Sequence, residues 1–202
     1  MKIIKLLILL LVACSLSAKA GVVKISGSLK QFGLDRVSMN SDGIAAEVYH
    51  DRTIEIILDS NGRFDLKLKL KQPAYYKVGH NTLYLTPGDD LEIIFNRNTT
   101  KTTFNGKGIE ANNYLRNSAK LSGWEIAKIG RELNEFGLPK EKVSFEVYRY
   151  KVDSIVDASL DALAHLTAVT PEFRELEQIR LEAYRLATYL DYFSVGQLSN
   201  YD

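Results

Sequence analysis

The chain has 202 residues, of which 26 are Lys or Arg, 25 are Asp or Glu and 3 are His, so its formal net charge is +1. Its residues are 46% hydrophobic, and they include one Cys. The balanced charge and the ordinary apolar fraction exclude a disordered polar chain, a collagen-like repeat and a basic nucleic-acid-binding arm. A single Cys excludes a disulfide framework and a cysteine-based zinc site.

The first twenty residues predict a signal peptide. A short basic head, Met1–Lys5, precedes an apolar run from Leu6 to Leu16, and Ala18-Lys-Ala20 has the small residues of a cleavage site. The apolar run is too short to cross a bilayer, which takes about 20 apolar residues. We therefore expect a protein of the bacterial periplasm or cell envelope that has no transmembrane span.

Cys14 leaves two forms of the exported protein open. Leu11-Val-Ala-Cys14 fits a lipobox, in which case Cys14 would be lipidated and would anchor the chain. Cleavage after Ala20 would instead remove Cys14 and leave 23 basic against 25 acidic side chains, a formal net charge of −2 with no Cys. This charge gives no reason to expect nucleic acid or an anionic membrane as a partner.

Residues 21–106 have the alternating pattern of short strands. Apolar and polar residues alternate in Thr53–Leu58 and in Arg63–Leu70, on either side of Asn61-Gly62. This pattern predicts a β-hairpin. A second hairpin is predicted to turn at Gly79. Seven or eight strands joined by turns predict an antiparallel β-sandwich.

Residues 107–202 have helical spacing instead. The predicted helices are Ala111–Leu121, Trp124–Phe136, one that starts at Pro139, and a last one that starts at Thr170-Pro-Glu172. The fold class is therefore α+β: a sandwich domain over residues 21–106 and a bundle of three or four helices over residues 107–202.

Two groups of tyrosines are candidate interaction residues. Tyr75, Tyr76 and Tyr84 share the second predicted hairpin, where they would form either an aromatic binding surface or cross-strand pairs that stabilise the sheet. The second group of tyrosines lies in the last predicted helix. It indicates a partly buried helix face that docks on another protein or domain. Its members are Tyr184, Tyr189 and Tyr192.

The sequence predicts no catalytic, cofactor-binding or metal-ligating residue. His50, His80 and His165 lie far apart, and none has a second ligand at metal-binding spacing. Asp89 and Asp90 follow Pro-Gly, which indicates a turn more than a calcium site with its six to eight oxygens.

Three short motifs follow one another in the middle of the chain: Leu83-Tyr-Leu-Thr-Pro-Gly-Asp-Asp-Leu-Glu-Ile93, Phe104-Asn-Gly-Lys-Gly108 and Asn112-Asn-Tyr-Leu115. This series resembles the N-terminal region of envelope thiol-disulfide oxidoreductases of the TlpA/ResA-like type, over residues 22–116. The resemblance implies a signal peptide, a β-sandwich and a helical segment that precede a thioredoxin-like domain with a C-x-x-C motif. In this chain the family's two active cysteines have no counterpart.

Thiol-disulfide exchange needs a thiolate, so we expect these residues not to be an enzyme, although a longer parent protein would be an oxidoreductase. The first hypothesis is a non-catalytic accessory module that holds, dimerises or docks substrates for a thioredoxin-like domain. The alternative is a free-standing periplasmic or lipid-anchored protein that binds a glycan or peptide. A protein partner is expected in the first case, and a homodimer is left open.

Overall fold

A computed structural model describes residues 21–41, 53–118 and 144–198. Eight strands come first, followed by three helices, which confirms the predicted α+β class. The strands are β1 Gly21–Ser28, β2 Arg36–Ser41, β3 Thr53–Ile57, β4 Arg63–Leu70, β5 Ala74–Val78, β6 Asn81–Leu85, β7 Asp90–Ile94 and β8 Thr103–Lys107. The helices are α1 Ile109–Asn117, α2 Phe145–Ala164 and α3 Pro171–Leu198. Cys14, His50 and the predicted helix Trp124–Phe136 lie outside the described residues.

The strands form two sheets of four, in the orders β4-β1-β7-β8 and β3-β2-β5-β6. One pair departs from the predicted antiparallel arrangement: β1 and β7 are parallel, with Lys24 opposite Asp90. Parallel neighbours need a long crossover rather than a tight turn. The chain between β1 and β7 provides that crossover, because it builds the second sheet on the way.

One hydrophobic core fills the sandwich. The alternation of β4 buries Phe64, Leu68 and Leu70 while Lys67 and Lys69 stay exposed, as expected for strands with one dry face. Both sheets contribute further side chains to the same core: Val23, Ile25, Leu29, Met39, Ile56, Leu58, Tyr76, Val78, Leu83, Leu85, Leu91, Ile93 and Phe95.

The hairpin predicted at Asn61-Gly62 is wrong. Strand β3 pairs with β2 and β4 pairs with β1, so this turn crosses from one sheet to the other. A turn does form there, because the Asp59 Oδ1 accepts the Asn61 and Arg63 N–H groups at 2.8 Å and Gly62 has a positive φ of +71°. Burial decides the pairing: the apolar faces of β3 and β4 both belong to the core between the sheets, instead of lying side by side in one sheet.

The second predicted hairpin is confirmed. Strands β5 and β6 are antiparallel, with Val78 opposite Asn81 and only Gly79-His80 between them. The φ of Gly79 is +57°, a left-handed conformation that favours Gly in a two-residue turn.

The chain divides into two compact units between Asn112 and Asn113, within α1. In the second unit, the Thr170 side chain accepts the Phe173 N–H at 3.1 Å, so the predicted N-cap of the last helix is confirmed. Helix α2 begins at Phe145 and not at the predicted Pro139, which lies outside the described residues. The reason is local: Ser144 has an extended backbone and its Oγ accepts the Val147 N–H at 3.4 Å.

Helices α2 and α3 pack through an aromatic and aliphatic interior. The Tyr148 hydroxyl donates to the Thr188 carbonyl at 3.1 Å, and the rings of Tyr148 and Tyr192 are 5.0 Å apart. Arg174 donates to the Leu163 and Leu166 carbonyls at 2.5 Å, which satisfies groups at the end of α2. The buried apolar side chains of the two helices are Tyr148, Val152, Val156, Leu163, Phe173, Leu181 and Tyr192.

Candidate functional site

The first motif of the resemblance forms a tight turn around a buried carboxyl group. The Asp89 N–H donates to the Thr86 carbonyl at 3.0 Å, and the Thr86 N–H donates to Asp89 Oδ2 at 2.7 Å. Burial raises the pKa of Asp89, while the hydrogen bond from Thr86 and the charge of Lys107 oppose that rise. The carboxyl group thus closes its own turn, which is a structural role.

The other motif residues also serve the backbone. A Cβ on Gly106 would lie 2.1 Å from the Asp90 carbonyl oxygen, and one on Gly108 would lie 2.7 Å from Cγ of Asp89. The Asn112 side chain accepts the Tyr84 N–H and donates to the Tyr84 carbonyl, both at 2.9 Å. The motifs therefore specify a junction between β6, β7, β8 and the start of α1.

The three tyrosines of the second hairpin lie on opposite faces of their sheet. Tyr76 points into the core, whereas the rings of Tyr75 and Tyr84 form a cross-strand pair with centroids 5.0 Å apart. Tyr84 is only 2% exposed and Tyr75 is half-buried. The three rings thus do not make one accessible aromatic surface.

The tyrosines of α3 are placed by contacts within the helical unit. Tyr192 is 8% exposed and packs on Phe145, with ring centroids 5.3 Å apart. The Tyr189 hydroxyl donates to Asp153 Oδ1; burial, followed by this hydrogen bond, raises the pKa of Tyr189. The Arg180 guanidinium lies 5.0 Å from the centre of the Tyr184 ring.

An ion-pair network links α2 to α3 beside Tyr189. Arg185 donates to Asp153 at 2.9 Å and to Asp157 at 2.6 Å, and its Nε lies 3.1 Å from Glu182. A second pair lies deeper, where Arg180 donates to both carboxylate oxygens of Glu177 at 2.5 and 2.6 Å. Both arrangements satisfy charges within the unit.

Across the ranges 21–41, 53–118 and 144–198, no group of three or more His, Cys, Asp or Glu side chains could hold a metal ion. His80 and His165 are both exposed, and a shallow groove of about 470 Å³ near Ile57 and Arg63 contains neither. Of the helices that the structure describes, none combines the length and the apolar character needed to cross a membrane.

The candidate functional site is an apolar stripe on the outer face of α3. Its large side chains are well exposed: 60% for Ile179, 61% for Leu186, 67% for Leu190 and 54% for Phe193. Leu176 and the smaller Ala183 complete the spacing of alternately three and four residues. We call these six residues, Leu176, Ile179, Ala183, Leu186, Leu190 and Phe193, the α3 stripe.

The α3 stripe lies away from the face that α3 packs inward, although its last residue, Phe193, also packs on Phe145 of α2, with ring centroids 5.0 Å apart. At about 100° of rotation per residue, the buried Phe173, Leu181 and Thr188 lie on one side of the helix and the stripe on the other. Single exposed apolar residues are ordinary on a protein surface, but a contiguous row of them marks an interaction surface. The stripe can therefore bind another apolar surface, and it contains no group that could carry out chemistry.

The sequence predicts a docking face at Tyr184, Tyr189 and Tyr192, and it uses the apolar residues of the stripe only as the periodic pattern that predicts the last helix. The signal was present, because Leu176, Ile179, Leu186 and Leu190 recur at helical spacing. The same spacing equally predicts a core face, and only the burial of Phe173 and the residues beside it shows which side packs inward.

Comparisons of the chain with models of known protein families, with curated proteins and with solved structures find no match.

Proposed function

We propose that this chain is a non-catalytic accessory module of the bacterial envelope that works by holding another polypeptide. The α3 stripe supports the proposal most directly, since four of its large apolar side chains are more than half exposed on one line. Because these exposed side chains are apolar, contact with another protein is the function that the geometry favours.

The resemblance suggests the kind of partner. In TlpA/ResA-like proteins the corresponding region precedes a thioredoxin-like domain, so we propose such a domain as the redox-active component that this module serves. The single Cys of the chain, Cys14, lies in the predicted signal peptide. Electron transfer would therefore belong to the partner, and the module would contribute positioning.

The alternative, a glycan- or peptide-binding protein, is less well supported. It needs an accessible aromatic surface on the sandwich, and of its three candidate rings those of Tyr76 and Tyr84 are buried. Tyr75 alone is half-exposed, and its ring is engaged with that of Tyr84.

A binding titration and an activity assay together test the proposal. We expect the purified protein not to reduce insulin, and to bind an envelope thioredoxin-like domain with micromolar affinity in a calorimetric titration. Reduction of insulin by the protein alone, in the absence of any added redox domain, would overturn the accessory role. If the protein associated neither with a thioredoxin-like domain nor with itself, the idea of a holding module would be wrong.

A further inference from the structure

Helix α3 has two apolar faces, and the described part of its unit, residues 113–118 and 144–198, buries mainly one of them. A helix that only packs on a core requires one apolar stripe, and Phe173, Leu181 and Tyr192 already provide it. The α3 stripe is a second one, and its alternating spacing of three and four residues has a period of 3.5. This is the period at which two helices supercoil around each other with interlocking side chains.

We propose that the occupant of the α3 stripe is the α3 stripe of a second copy of this chain, related by a two-fold axis that makes the two helices antiparallel. The inference rests on the proposed function: it assigns the α3 stripe to a second copy of the chain, so that a thioredoxin-like domain would bind elsewhere on the protein. In this arrangement Leu176 lies opposite Phe193 of the second copy, Ile179 opposite Leu190, and Ala183 opposite Leu186. Every residue of the stripe then has a counterpart.

Side-chain size favours the antiparallel direction. In the antiparallel pair, Ala183 of each copy lies against Leu186 of the other. A small residue thus meets a large one at both central positions, and the centre of the interface is filled. Parallel helices in register would instead place Ala183 against Ala183 and leave a gap at the centre, which costs packing contacts.

Charge favours the same direction. Glu172 is exposed and lies four residues before Leu176, so it continues the spacing of the stripe at its N-terminal end. A parallel pair would place two Glu172 carboxylates against each other. An antiparallel pair separates them by about 37 Å, at a rise of about 1.5 Å per residue, which is well beyond the screening length of physiological salt.

The size of the stripe is sufficient for a weak but specific dimer. From Leu176 to Phe193 it is about 26 Å long. At an order of 100 Å² of apolar surface for each large side chain removed from water, its five large side chains on two copies would bury on the order of 1,000 Å². That is the lower bound of a specific interface between proteins, so we expect a dissociation constant in the micromolar range.

Sedimentation equilibrium of the purified protein tests the dimer. We expect a monomer–dimer equilibrium between about 1 µM and about 1 mM, and a shift to monomer at all these concentrations in Leu190→Glu. The matched control is Tyr150→Glu, because Tyr150 is 74% exposed on α2 and lies outside the stripe. We expect the control to dimerise like the parent protein. Circular dichroism of each variant shows whether its helices remain folded.

Cysteine cross-linking tests the direction of the helices. In a Cys14→Ala background, we expect a mixture of Leu176→Cys and Phe193→Cys proteins to form a mixed disulfide dimer on oxidation. Each variant alone should form little, because two Cys at position 176 would be about 25 Å apart in the antiparallel pair. Efficient cross-linking of each variant with itself, and none in the mixture, would overturn the antiparallel arrangement.

The remaining outcomes separate this inference from the proposed function. The parent protein could be monomeric at all concentrations, bind a thioredoxin-like domain, and lose that binding in Leu190→Glu. This result would overturn the second copy as occupant of the stripe, but it would agree with the proposed accessory module. A monomer that binds no such domain overturns both. A dimer that Leu190→Glu leaves unchanged overturns the assignment of the stripe.

Discussion

The amide side chain of Asn112 hydrogen-bonds both backbone groups of Tyr84, accepting its N–H and donating to its carbonyl at 2.9 Å. Tyr84 lies in β6, at the end of the described sheet β3-β2-β5-β6, so Asn112 takes the place of a neighbouring strand there. The backbone groups of Tyr84 thus point away from β5. Tyr75 and Tyr84 are therefore a non-hydrogen-bonded pair, whose close side chains account for the contact of their rings.

Replacing Asn112 with Ala should destabilise the first compact unit, called the β unit below, by about 2–3 kcal/mol. The reason is that the change removes the side chain that hydrogen-bonds the buried N–H and carbonyl of Tyr84. The local readout is hydrogen exchange of the Tyr84 amide, which we expect to speed up at least tenfold. Asn117→Ala is the matched control, since Asn117 is exposed on the same helix. Equal exchange of the Tyr84 amide in the two variants would contradict the role of Asn112.

The sequence predicts that residues 21–106 form short strands joined by turns. It does not predict which strands pair on either side of Asn61-Gly62. The turn chemistry of Asp59 and Gly62 is local, so it can be predicted from four residues. Whether the flanking strands pair with each other or face each other across a core depends on the other strands that compete for their edges. Strand β1 takes the edge of β4, over the full register from Gly21–Leu70 to Ser28–Arg63.

The stability of the β unit should depend on pH through Asp89. Its folded pKa is raised by burial above the unfolded value of about 3.9, so it contributes stability that is present below that value and is lost as pH rises through the folded pKa. Asp89→Asn keeps an oxygen to accept the Thr86 N–H and removes this loss. The free energy of unfolding of the variant, relative to that of the parent protein, should therefore increase with pH over this window.

Asp90→Asn is the control for the pH experiment. Asp90 follows Asp89 directly, but its side chain is exposed and forms a solvent-facing ion pair with Lys24 at 3.3 Å. Urea unfolding at a series of pH values gives the difference in unfolding free energy between each variant and the parent protein. Equal pH profiles for the Asp89→Asn and Asp90→Asn variants would show that burial of Asp89 is not the cause.

Alanine substitutions at Gly106 and Gly33 distinguish the cost of backbone strain from the cost of steric overlap. Both have positive φ, +100° and +65°, but a Cβ on Gly106 would overlap the Asp90 carbonyl oxygen, whereas one on Gly33 would meet nothing within 4 Å. Gly33→Ala should cost about 1–2 kcal/mol, the price of a left-handed conformation in an L residue. Gly106→Ala should cost more than about 3 kcal/mol, since β7 and β8 must also move apart. Similar melting temperatures for the two variants would contradict this account.

The sequence locates the helices better than it locates their faces. Thr170 and Pro171 mark the start of α3 through local capping chemistry, and the structure agrees. The faces depend on which side α2 covers, and both sides of α3 are apolar. Tyr192, with its large ring and polar tip, is compatible with either an interface or an interior from sequence alone. Its contacts with Phe145 and Tyr148 place it in the interior.

Arg185 should contribute measurably to the packing of α2 on α3. Its side chain is largely buried and reaches Asp153 and Asp157 on the facing helix. Arg185→Met should lower the free energy of unfolding of the helical unit by about 2 kcal/mol, since it removes charge-assisted hydrogen bonds and leaves Asp153 without its cation. Arg185→Lys should recover less than half of that loss, because one ammonium group cannot reproduce the planar guanidinium that contacts both carboxylates.

The control for Arg185 is Lys151→Met, which removes one exposed positive charge from α2. We expect it to change the free energy of unfolding by less than about 0.5 kcal/mol. A double-mutant cycle of Arg185→Met with Asp153→Asn, followed by urea unfolding, isolates the coupling of the two side chains, which we expect to exceed about 1 kcal/mol. High salt should weaken the contribution of the exposed Asp157 more than that of Asp153. A coupling energy of zero would mean that the Arg185–Asp153 pair does not contribute to the packing of α2 on α3.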